Sequence, residues 1–225
     1  MAAITEEDSR SVHRISFIPA NGVELECEIA IPPRAAGIVA FAHGSGSSRH
    51  SPRNKFVAER LRAEGLGTLL MDLLTREEDR SYETRFDIEL LTWRLERATQ
   101  WLMDEPETKA LDIGYFGAST GAAAALNAAA TFGAAIGAVV SRGGRPDLVM
   151  PALKRVQAPT LLIVGALDEV VLELNRRAYA ELAGEKRLAV VPGATHLFEE
   201  PGALQEVARL AANWFKRYLG VKRQA

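Results

Sequence analysis

The residues with the clearest potential for chemistry form a G-x-S-x-G motif, Gly117-Ala118-Ser119-Thr120-Gly121. The motif directly follows the apolar run Asp112–Phe116 and directly precedes an Ala-rich segment that favours a helix. A sharp turn between a strand and a helix holds the serine in a strained conformation, and the glycines leave room for neighbouring backbone. The N-terminal dipole of the following helix would stabilise developing negative charge. The pattern therefore predicts that Ser119 is the nucleophile of an acyl transfer.

A serine hydroxyl is a weak nucleophile at neutral pH and needs a base within hydrogen-bond distance. Of the four histidines, His196 comes just after the last apolar run, so we expect it at the carboxyl edge of the sheet, beside Ser119. We interpret His13 as structural because it lies in an edge strand. His43 is interpreted as a structural residue beneath a glycine-rich loop, and His50 as an exposed loop residue.

The third member of such a triad is a carboxylate that fixes the imidazole tautomer and stabilises its protonated form. Asp168 directly follows the apolar run Thr160–Val164, which predicts a position at the same edge. The chain order Ser119, Asp168, His196 is the order that accompanies this type of serine turn. Asp147, which follows the preceding apolar run, remains open as the alternative acid.

An oxyanion hole needs two backbone N–H donors, and one of them is the amide of the residue after the nucleophile, here Thr120. The second donor is expected in the glycine-rich loop that follows the apolar run Gly37–Ala42. We assign it to the amide of Ser45, with Gly44 as the alternative.

Two arginines follow another apolar run, Ala138–Ser141, at the same predicted edge. In one interpretation, Arg142 and Arg145 both stabilise the glycine-rich loop through salt bridges. In the other, Arg142 faces the pocket and binds a carboxylate of the substrate, because a guanidinium group pairs well with a carboxylate.

These residues need a scaffold, and the chain alternates short apolar runs with helical patterns, as in a parallel sheet covered by helices. The predicted strands are Ser11–Ile18, Val23–Ile31, Gly37–Ala42, Gly67–Met71, Asp112–Phe116, Ala138–Ser141, Thr160–Val164 and Leu188–Val191. The predicted helices are Pro52–Ala63, Arg85–Met103, Thr120–Thr131, Glu169–Leu182 and Leu204–Tyr218. The first two strands form a hairpin around Asn21-Gly22. We predict one α/β domain over residues 1–225, with a mainly parallel eight-stranded sheet and helices on both faces.

Composition narrows the class of protein. The 225 residues are 48% hydrophobic and 25% charged, which are ordinary values for a soluble globular protein. A formal charge of −2 gives no electrostatic reason to expect a nucleic acid partner. The single cysteine, Cys27, excludes an intramolecular disulfide. Because Met1–Arg10 is polar and no apolar segment follows it, we expect a cytoplasmic protein.

Three patterns typical of other functions are incomplete. The uncharged stretch Ile113–Ser141 is long enough to span a bilayer, but its Ala- and Gly-rich middle favours a strand, a helix and a strand, so we expect no membrane association. The segment from Gly44 to Arg49 begins like a dinucleotide-binding fingerprint but has arginine in place of the third glycine. The histidines and the cysteine lack metal-ligand spacing, and we expect no metal and no cofactor.

From about Val23 to Tyr218 the chain resembles the dienelactone hydrolase family of the α/β-hydrolase superfamily. The segments that carry the resemblance are His43-Gly44-Ser45-Gly46-Ser47-Ser48-Arg49, Gly114-Tyr115-Phe116-Gly117-Ala118-Ser119, Ser141-Arg142-Gly143-Gly144-Arg145-Pro146-Asp147 and His196-Leu197-Phe198-Glu199-Glu200-Pro201-Gly202. The resemblance implies an α/β-hydrolase fold and the triad positions. Dienelactone hydrolases proper have a cysteine nucleophile, so Ser119 implies a serine subgroup. Some similar members are fused to a phosphoribosyltransferase domain, which we do not expect in these 225 residues.

The sequence thus predicts a serine hydrolase that cleaves a small-molecule ester, thioester or lactone through an acyl-enzyme. A non-catalytic binding protein with the same fold is the alternative from another class, and a homodimer remains open. Only residues 142–159 connect the two strands between which a cap is usually inserted, so we expect no large cap domain. The charged run Arg76-Glu77-Glu78-Asp79-Arg80 is interpreted as a solvated loop. Without apolar walls to bury a long chain, short acyl groups of about two to four carbons are expected.

Overall fold

The computed structural model describes residues 11–220, and an eight-stranded sheet forms its centre. The strands are β1 (Val12–Ala20), β2 (Val23–Ile31), β3 (Gly37–Ala42), β4 (Gly67–Met71), β5 (Asp112–Ala118), β6 (Ile136–Arg142), β7 (Thr160–Gly165) and β8 (Lys186–Val191). Their order across the sheet is β1-β2-β4-β3-β5-β6-β7-β8. The hairpin strands β1 and β2 pair antiparallel, β2 pairs antiparallel with β4, and all other pairs are parallel. The predicted mainly parallel sheet is confirmed.

Helices cover both faces of this sheet, also as predicted. They are α1 (Pro52–Ala63), α2 (Tyr82–Arg85), α3 (Ile88–Asp104), α4 (Thr120–Phe132), α5 (Met150–Leu153), α6 (Glu169–Glu181) and α7 (Ala203–Tyr218). Helices α1 and α7 pack in one apolar cluster, and α3 and α4 pack in a second cluster on the opposite face. Strands β3 to β7 lie between the two clusters and are almost entirely buried.

One predicted helix is wrong in its first turn. The segment Arg85–Met103 was expected to be a single helix, but the chain turns at Phe86 and α3 begins at Ile88. The carboxylate of Asp87 accepts the N–H of Leu90 at 3.0 Å and caps α3. The capped N-terminus separates α3 from the short helix α2, although the apolar pattern of the sequence continues across the break.

The charged run between β4 and α3 is solvated at Arg76, Glu77 and Arg80, as expected, but Glu78 and Asp79 are half-buried. Glu78 accepts a hydrogen bond from the buried Arg94 at 2.7 Å and another from the N–H of Thr75 at 2.8 Å. Asp79 pairs with Arg85 at 3.0 Å. The bond to Arg94 connects the run to α3 and compensates the charge of that buried guanidinium, whereas the pair with Arg85 connects it to α2.

The connection between β6 and β7 is short, as expected. It contains one 3₁₀ turn, Pro146–Val149, and the four-residue helix α5, so residues 143–159 contain no cap domain. The uncharged stretch Ile113–Ser141 is a strand, a helix and a strand. Within residues 11–220, no helix has both the length and the hydropathy needed to cross a membrane. The segment Met1–Arg10, on which the expected location depends, lies outside the described residues.

Candidate active site

Ser119 lies on a tight turn between β5 and α4, in the strained conformation expected for this motif. Its backbone angles are φ 50° and ψ −121°. A Cβ atom at Gly117 would lie 2.4 Å from the Cα of Ala122, and one at Gly121 would lie 2.2 Å from the carbonyl oxygen of Ala42. Both positions therefore require glycine if the turn is to be this sharp. The strain of Ser119 is of the kind that persists only where surrounding structure holds it.

His196 and Asp168 are joined by a hydrogen bond. The Nδ1 of His196 lies 2.6 Å from Oδ2 of Asp168, whose side chain is 14% exposed. Asp168 lies in the turn after β7, and His196 lies in the loop after β8, so both are at the carboxyl edge of parallel strands. A Cβ at Gly143 would lie 3.4 Å from Nδ1 of the same ring, so this backbone packs against the imidazole. With Nδ1 donating to the carboxylate, Nε2 is the nitrogen left to accept a proton.

The alternative acid, Asp147, is engaged elsewhere. Its two carboxylate oxygens each accept a hydrogen bond from Arg145 at 2.8 Å. This bidentate pair stabilises the loop after β6, which is the structural interpretation that the sequence left open for Arg145. The structure thus brings His196 together with Asp168 and gives Asp147 a different partner.

A cavity of about 260 Å³ at this edge brings most of the predicted site residues together. Its lining comes from three regions: the loop after β3 with the first turn of α1, the serine turn with the end of β6, and the His196 loop. The lining residues are Gly44, Ser45, Ser47, Ser51, Arg53, Asn54, Ala118, Ser119, Arg142, His196 and Leu197. Cavities of similar or larger size lie elsewhere on the molecule, so the chemistry of its lining, and not its volume, identifies this one.

The predicted oxyanion donors are in contact with each other. The N–H of Ser45 donates a hydrogen bond to Oγ1 of Thr120 at 2.9 Å, so it is not a free donor in this structure. The N–H of Thr120 is the first of α4 and has no acceptor within the helix. A Cβ at Gly44, the alternative donor, would lie 3.0 Å from the Cβ of Ser119. The glycine lets the loop pass directly over the serine.

His43 supports this loop from below. It is 5% exposed, its Nδ1 donates to the carbonyl oxygen of Gly44 at 2.9 Å, and its Nε2 accepts the N–H of Leu73 at 3.0 Å. Burial lowers the pKa of His43. A neutral ring satisfies both bonds, and the geometry gives this histidine the structural role expected for it.

Arg142 differs from Arg145 in having no carboxylate partner. Its residue is 7% exposed, its guanidinium lies over the ring of Phe198 at 5.8 Å, and none of its contacts within residues 11–220 is an ion pair. Burial lowers the pKa of Arg142 to about 10, and the nearby positive charge of Arg53 acts in the same direction. At neutral pH the cavity therefore contains a buried positive charge that has no counterion among the described residues.

Three lining residues belong to none of the segments that the sequence singled out for the site, namely Ser51, the N-cap of α1, and Arg53 and Asn54 in its first turn. A signal for them existed. Helix α1 follows β3, so its N-terminus must begin near the carboxyl edge, where Ser119 also lies. In the described part of the chain, no three His, Cys, Asp or Glu side chains come close enough together to hold a metal ion.

Comparisons with known proteins agree with this architecture. The model of the dienelactone hydrolase family matches residues 26–221. A crystal structure of a dienelactone hydrolase from Anabaena variabilis is 54% identical, covers 93% of this chain and 99% of that one, and superposes with a TM-score of 0.91. Est1E from Butyrivibrio proteoclasticus has a TM-score of 0.78 at 16% identity, over 90% of this chain and 98% of its own, which shows a shared fold.

Curated relatives are longer than this chain. Two Mycobacterium tuberculosis proteins, provisionally named phosphoribosyl transferases, are 58% identical over 202 residues, which are 90% of this chain and 46% of each relative. The chain therefore spans about half the length of the curated relatives that it matches, and their name describes proteins of twice its length. The family match and the similarity to the Anabaena variabilis structure support a hydrolase. On the match over residues 26–221, the chain belongs to the dienelactone hydrolase family.

Proposed function

We propose that this chain is a serine hydrolase that cleaves a small carboxylic ester, or a related thioester or lactone, with Ser119, His196 and Asp168 as its catalytic triad. The observation that carries the proposal is the strained Ser119 in one cavity with an imidazole that is hydrogen-bonded to a carboxylate. The family match supports hydrolysis, but its usual cysteine nucleophile is replaced by serine here, so the family name does not identify the substrate.

The geometry supports a two-step reaction. Nε2 of His196 takes the hydroxyl proton as Ser119 Oγ attacks the carbonyl carbon, and Asp168 stabilises the resulting imidazolium. When the tetrahedral intermediate collapses, the bond to the leaving group breaks and His196 gives that group its proton. Water then attacks the acyl-enzyme with His196 again as the base, which releases the acid and restores the Ser119 hydroxyl.

The oxyanion of the intermediate forms at the start of α4, where the N–H of Thr120 is the first proposed donor. The second proposed donor, the N–H of Ser45, now bonds Oγ1 of Thr120. To stabilise an oxyanion it must share or exchange this bond. The alternative donor is the amide of Gly44, whose Cα packs against the side chain of Ser119. The loop is held for this purpose by His43 beneath it.

The charge of the cavity favours an acidic substrate. A buried guanidinium without a carboxylate is costly, since removing one partner of a buried pair leaves an uncompensated charge. Arg142 is a buried guanidinium without a carboxylate partner among the described residues. A carboxylate on the substrate would compensate its charge. We therefore propose Arg142 as a substrate-binding residue, while Arg145 has a structural role.

The test is hydrolysis of a panel of acyl esters, thioesters and lactones by the wild type and by Ser119→Ala. The wild type should cleave at least one class, and Ser119→Ala should lower kcat by about a thousandfold or more, with an unchanged circular dichroism spectrum. Equal activity of the two proteins would show that another residue is the nucleophile. Absence of hydrolysis in the whole panel would favour the alternative, a non-catalytic binding protein.

A further inference from the structure

Besides Arg142, the cavity contains a second buried polar group, the carboxamide of Asn54, and it forms no hydrogen bond with any described residue. Asn54 is 2% exposed and lies in the lining with Ser119 and Arg142. Its Oδ1 is buried and accepts no hydrogen bond from any described residue. Buried amides are normally hydrogen-bonded, so an unpartnered one in the lining of a cavity calls for an explanation.

The helix does not use this side chain. Asn54 is the third residue of α1, where a polar side chain commonly bonds back to the N–H of the N-cap residue. Here the N-cap is Ser51, whose N–H donates instead to the carbonyl oxygen of Ser48 at 3.0 Å. The Oγ of Ser51 accepts the N–H of Asn54 at 3.3 Å, so the cap is complete without the carboxamide.

Another buried asparagine shows the structural alternative. The Nδ2 of Asn175 donates to the carbonyl oxygens of Gly144 at 3.0 Å and Val171 at 2.8 Å, and so ties α6 to the loop after β6. No corresponding bond joins the Asn54 side chain to the protein over residues 11–220. The two residues are similarly buried, and the Oδ1 of each has no partner among residues 11–220, but only Asn175 bonds the fold through its Nδ2.

The chemistry of Arg142 and Asn54 defines a complementary ligand. A guanidinium offers only donors and a positive charge, whereas a carboxamide offers a donor and an acceptor. The first turn of α1 contains no acidic residue, so its N-terminal dipole adds to the positive potential. The ligand that satisfies all three features has an anionic group and, near it, a hydroxyl that can both donate and accept. An apolar acyl chain would leave Arg142 and Asn54 without partners.

We propose that Asn54 is a specificity-determining residue that hydrogen-bonds a hydroxyl group of an anionic substrate, next to the carboxylate that Arg142 binds. The substrate class is then a short ester of a hydroxylated dicarboxylic acid. This proposal rests on the proposed function for its substrate, but the binding site itself does not depend on catalysis.

Four ethyl esters with four-carbon acyl groups separate the two contacts. Ethyl butyrate has neither polar group, ethyl 3-hydroxybutyrate has the hydroxyl, monoethyl succinate has the carboxylate, and 4-ethyl malate has both. Their dissociation constants are measured by calorimetry on Ser119→Ala, which cannot cleave them, and on Ser119→Ala/Asn54→Leu. Leucine is close to asparagine in size, and Asn127→Leu, on α4 outside the cavity lining, is the matched control.

We expect Asn54→Leu to weaken binding of the two hydroxylated esters by about tenfold, the effect of one lost hydrogen bond, and to change the other two by less than twofold. Asn127→Leu should change none of them. The proposal would be overturned if Asn54→Leu changed the dissociation constants of all four esters equally, or changed only the stability of the protein. It would also be overturned if Ser119→Ala bound 4-ethyl malate and monoethyl succinate equally well. Hydrolysis by the wild type tests the proposed function separately, because an ester that binds selectively but is not cleaved contradicts only that function.

Discussion

Arg94 and Arg142 are both buried arginines, but their surroundings are opposite. Arg94 donates to Glu78 Oε1 at 2.7 Å and to the carbonyl oxygen of Ala20 at 3.0 Å. Arg49, which is also buried, pairs with Glu26 and Asp72. Arg142 has an aromatic ring beside it and no carboxylate among the described residues. Charge is thus neutralised in one region of the molecule and left uncompensated in another.

The difference indicates where the fold gives up stability for function. Removing one partner of a buried pair such as the one at Arg94 costs about 3–5 kcal/mol, because the other charge is left uncompensated. The cavity instead combines the unpaired Arg142, the unpartnered Asn54 and the strained Ser119, whose backbone conformation alone costs about 1–3 kcal/mol. Three unfavourable features in one place are typical of a site whose ligand supplies the missing partners.

The largest effect on activity is expected from substitution of the proposed triad carboxylate, Asp168. Asp168→Asn should lower kcat by about a hundredfold to ten-thousandfold, because the amide cannot stabilise the imidazolium and favours the wrong tautomer. The control is Asp147→Asn, which weakens only the pair with Arg145 and should change kcat by less than about threefold. A crippled Asp147→Asn with a mild Asp168→Asn would transfer the role of the acid to Asp147.

The next largest effects are expected from replacing Arg142 or Arg94, one on selectivity and the other on stability. Arg142→Met should lower kcat/KM for monoethyl succinate by about tenfold to a hundredfold relative to ethyl butyrate, since a charge-assisted hydrogen bond is lost. Its free energy of unfolding should stay the same or rise, because an unpaired buried charge is removed. Arg94→Met should do the opposite, with about 3 kcal/mol less stability and unchanged selectivity. Arg142 would be a structural residue if urea titrations showed that Arg142→Met is as destabilised as Arg94→Met, and if kcat/KM fell equally for both esters.

A smaller effect is expected from the length of the acyl chain. Each buried CH₂ contributes about 0.8 kcal/mol, roughly a fourfold gain in kcat/KM, but only where apolar walls exist. The cavity of about 260 Å³ has arginine, asparagine and serine in its lining, and the connection over residues 143–159 contains no cap domain. In a series of p-nitrophenyl esters from acetate to laurate, kcat/KM should therefore be highest at about two to four carbons. A maximum at eight carbons or more would reveal a lipid-sized pocket.

The smallest effect is a loss of charge preference at high pH. Burial lowers the pKa of Arg142 to about 10, so its positive charge is present below that pH and is lost above it. The ratio of kcat/KM for monoethyl succinate to that for ethyl butyrate should be constant from pH 7 to 9 and fall as the pH rises through about 10. A pH profile of both esters over pH 7–10.5 measures it. A constant ratio up to pH 10.5, in an enzyme that stays folded, would contradict the lowered pKa of Arg142.

Much of the scaffold could be predicted because buried strands are short apolar runs with clear ends. The predicted bounds of β2, β3, β4 and α1 agree with the structure residue by residue. Ser119, Asp168 and His196 could be selected because each follows a parallel strand, and the carboxyl ends of such strands meet at one edge of the sheet. That edge is a consequence of topology, which apolar patterning predicts well.

Features that depend on side-chain geometry could not be predicted in the same way. The turn at Asp87 is hidden by an apolar pattern that continues through it, and the fold of the charged run depends on Arg94 reaching Glu78 from another helix. The bond between the Ser45 amide and Thr120 depends on one rotamer. Asn54 resembles an ordinary first-turn residue until the orientation of α1 is known.

The most direct test of the central claim, that Ser119 is an activated nucleophile, is covalent labelling with a fluorophosphonate followed by peptide mass spectrometry. One adduct is expected, on Ser119, and it should be absent from Ser119→Ala and form much more slowly in His196→Ala. An adduct on another residue of the folded protein, or no adduct at all, would contradict that claim.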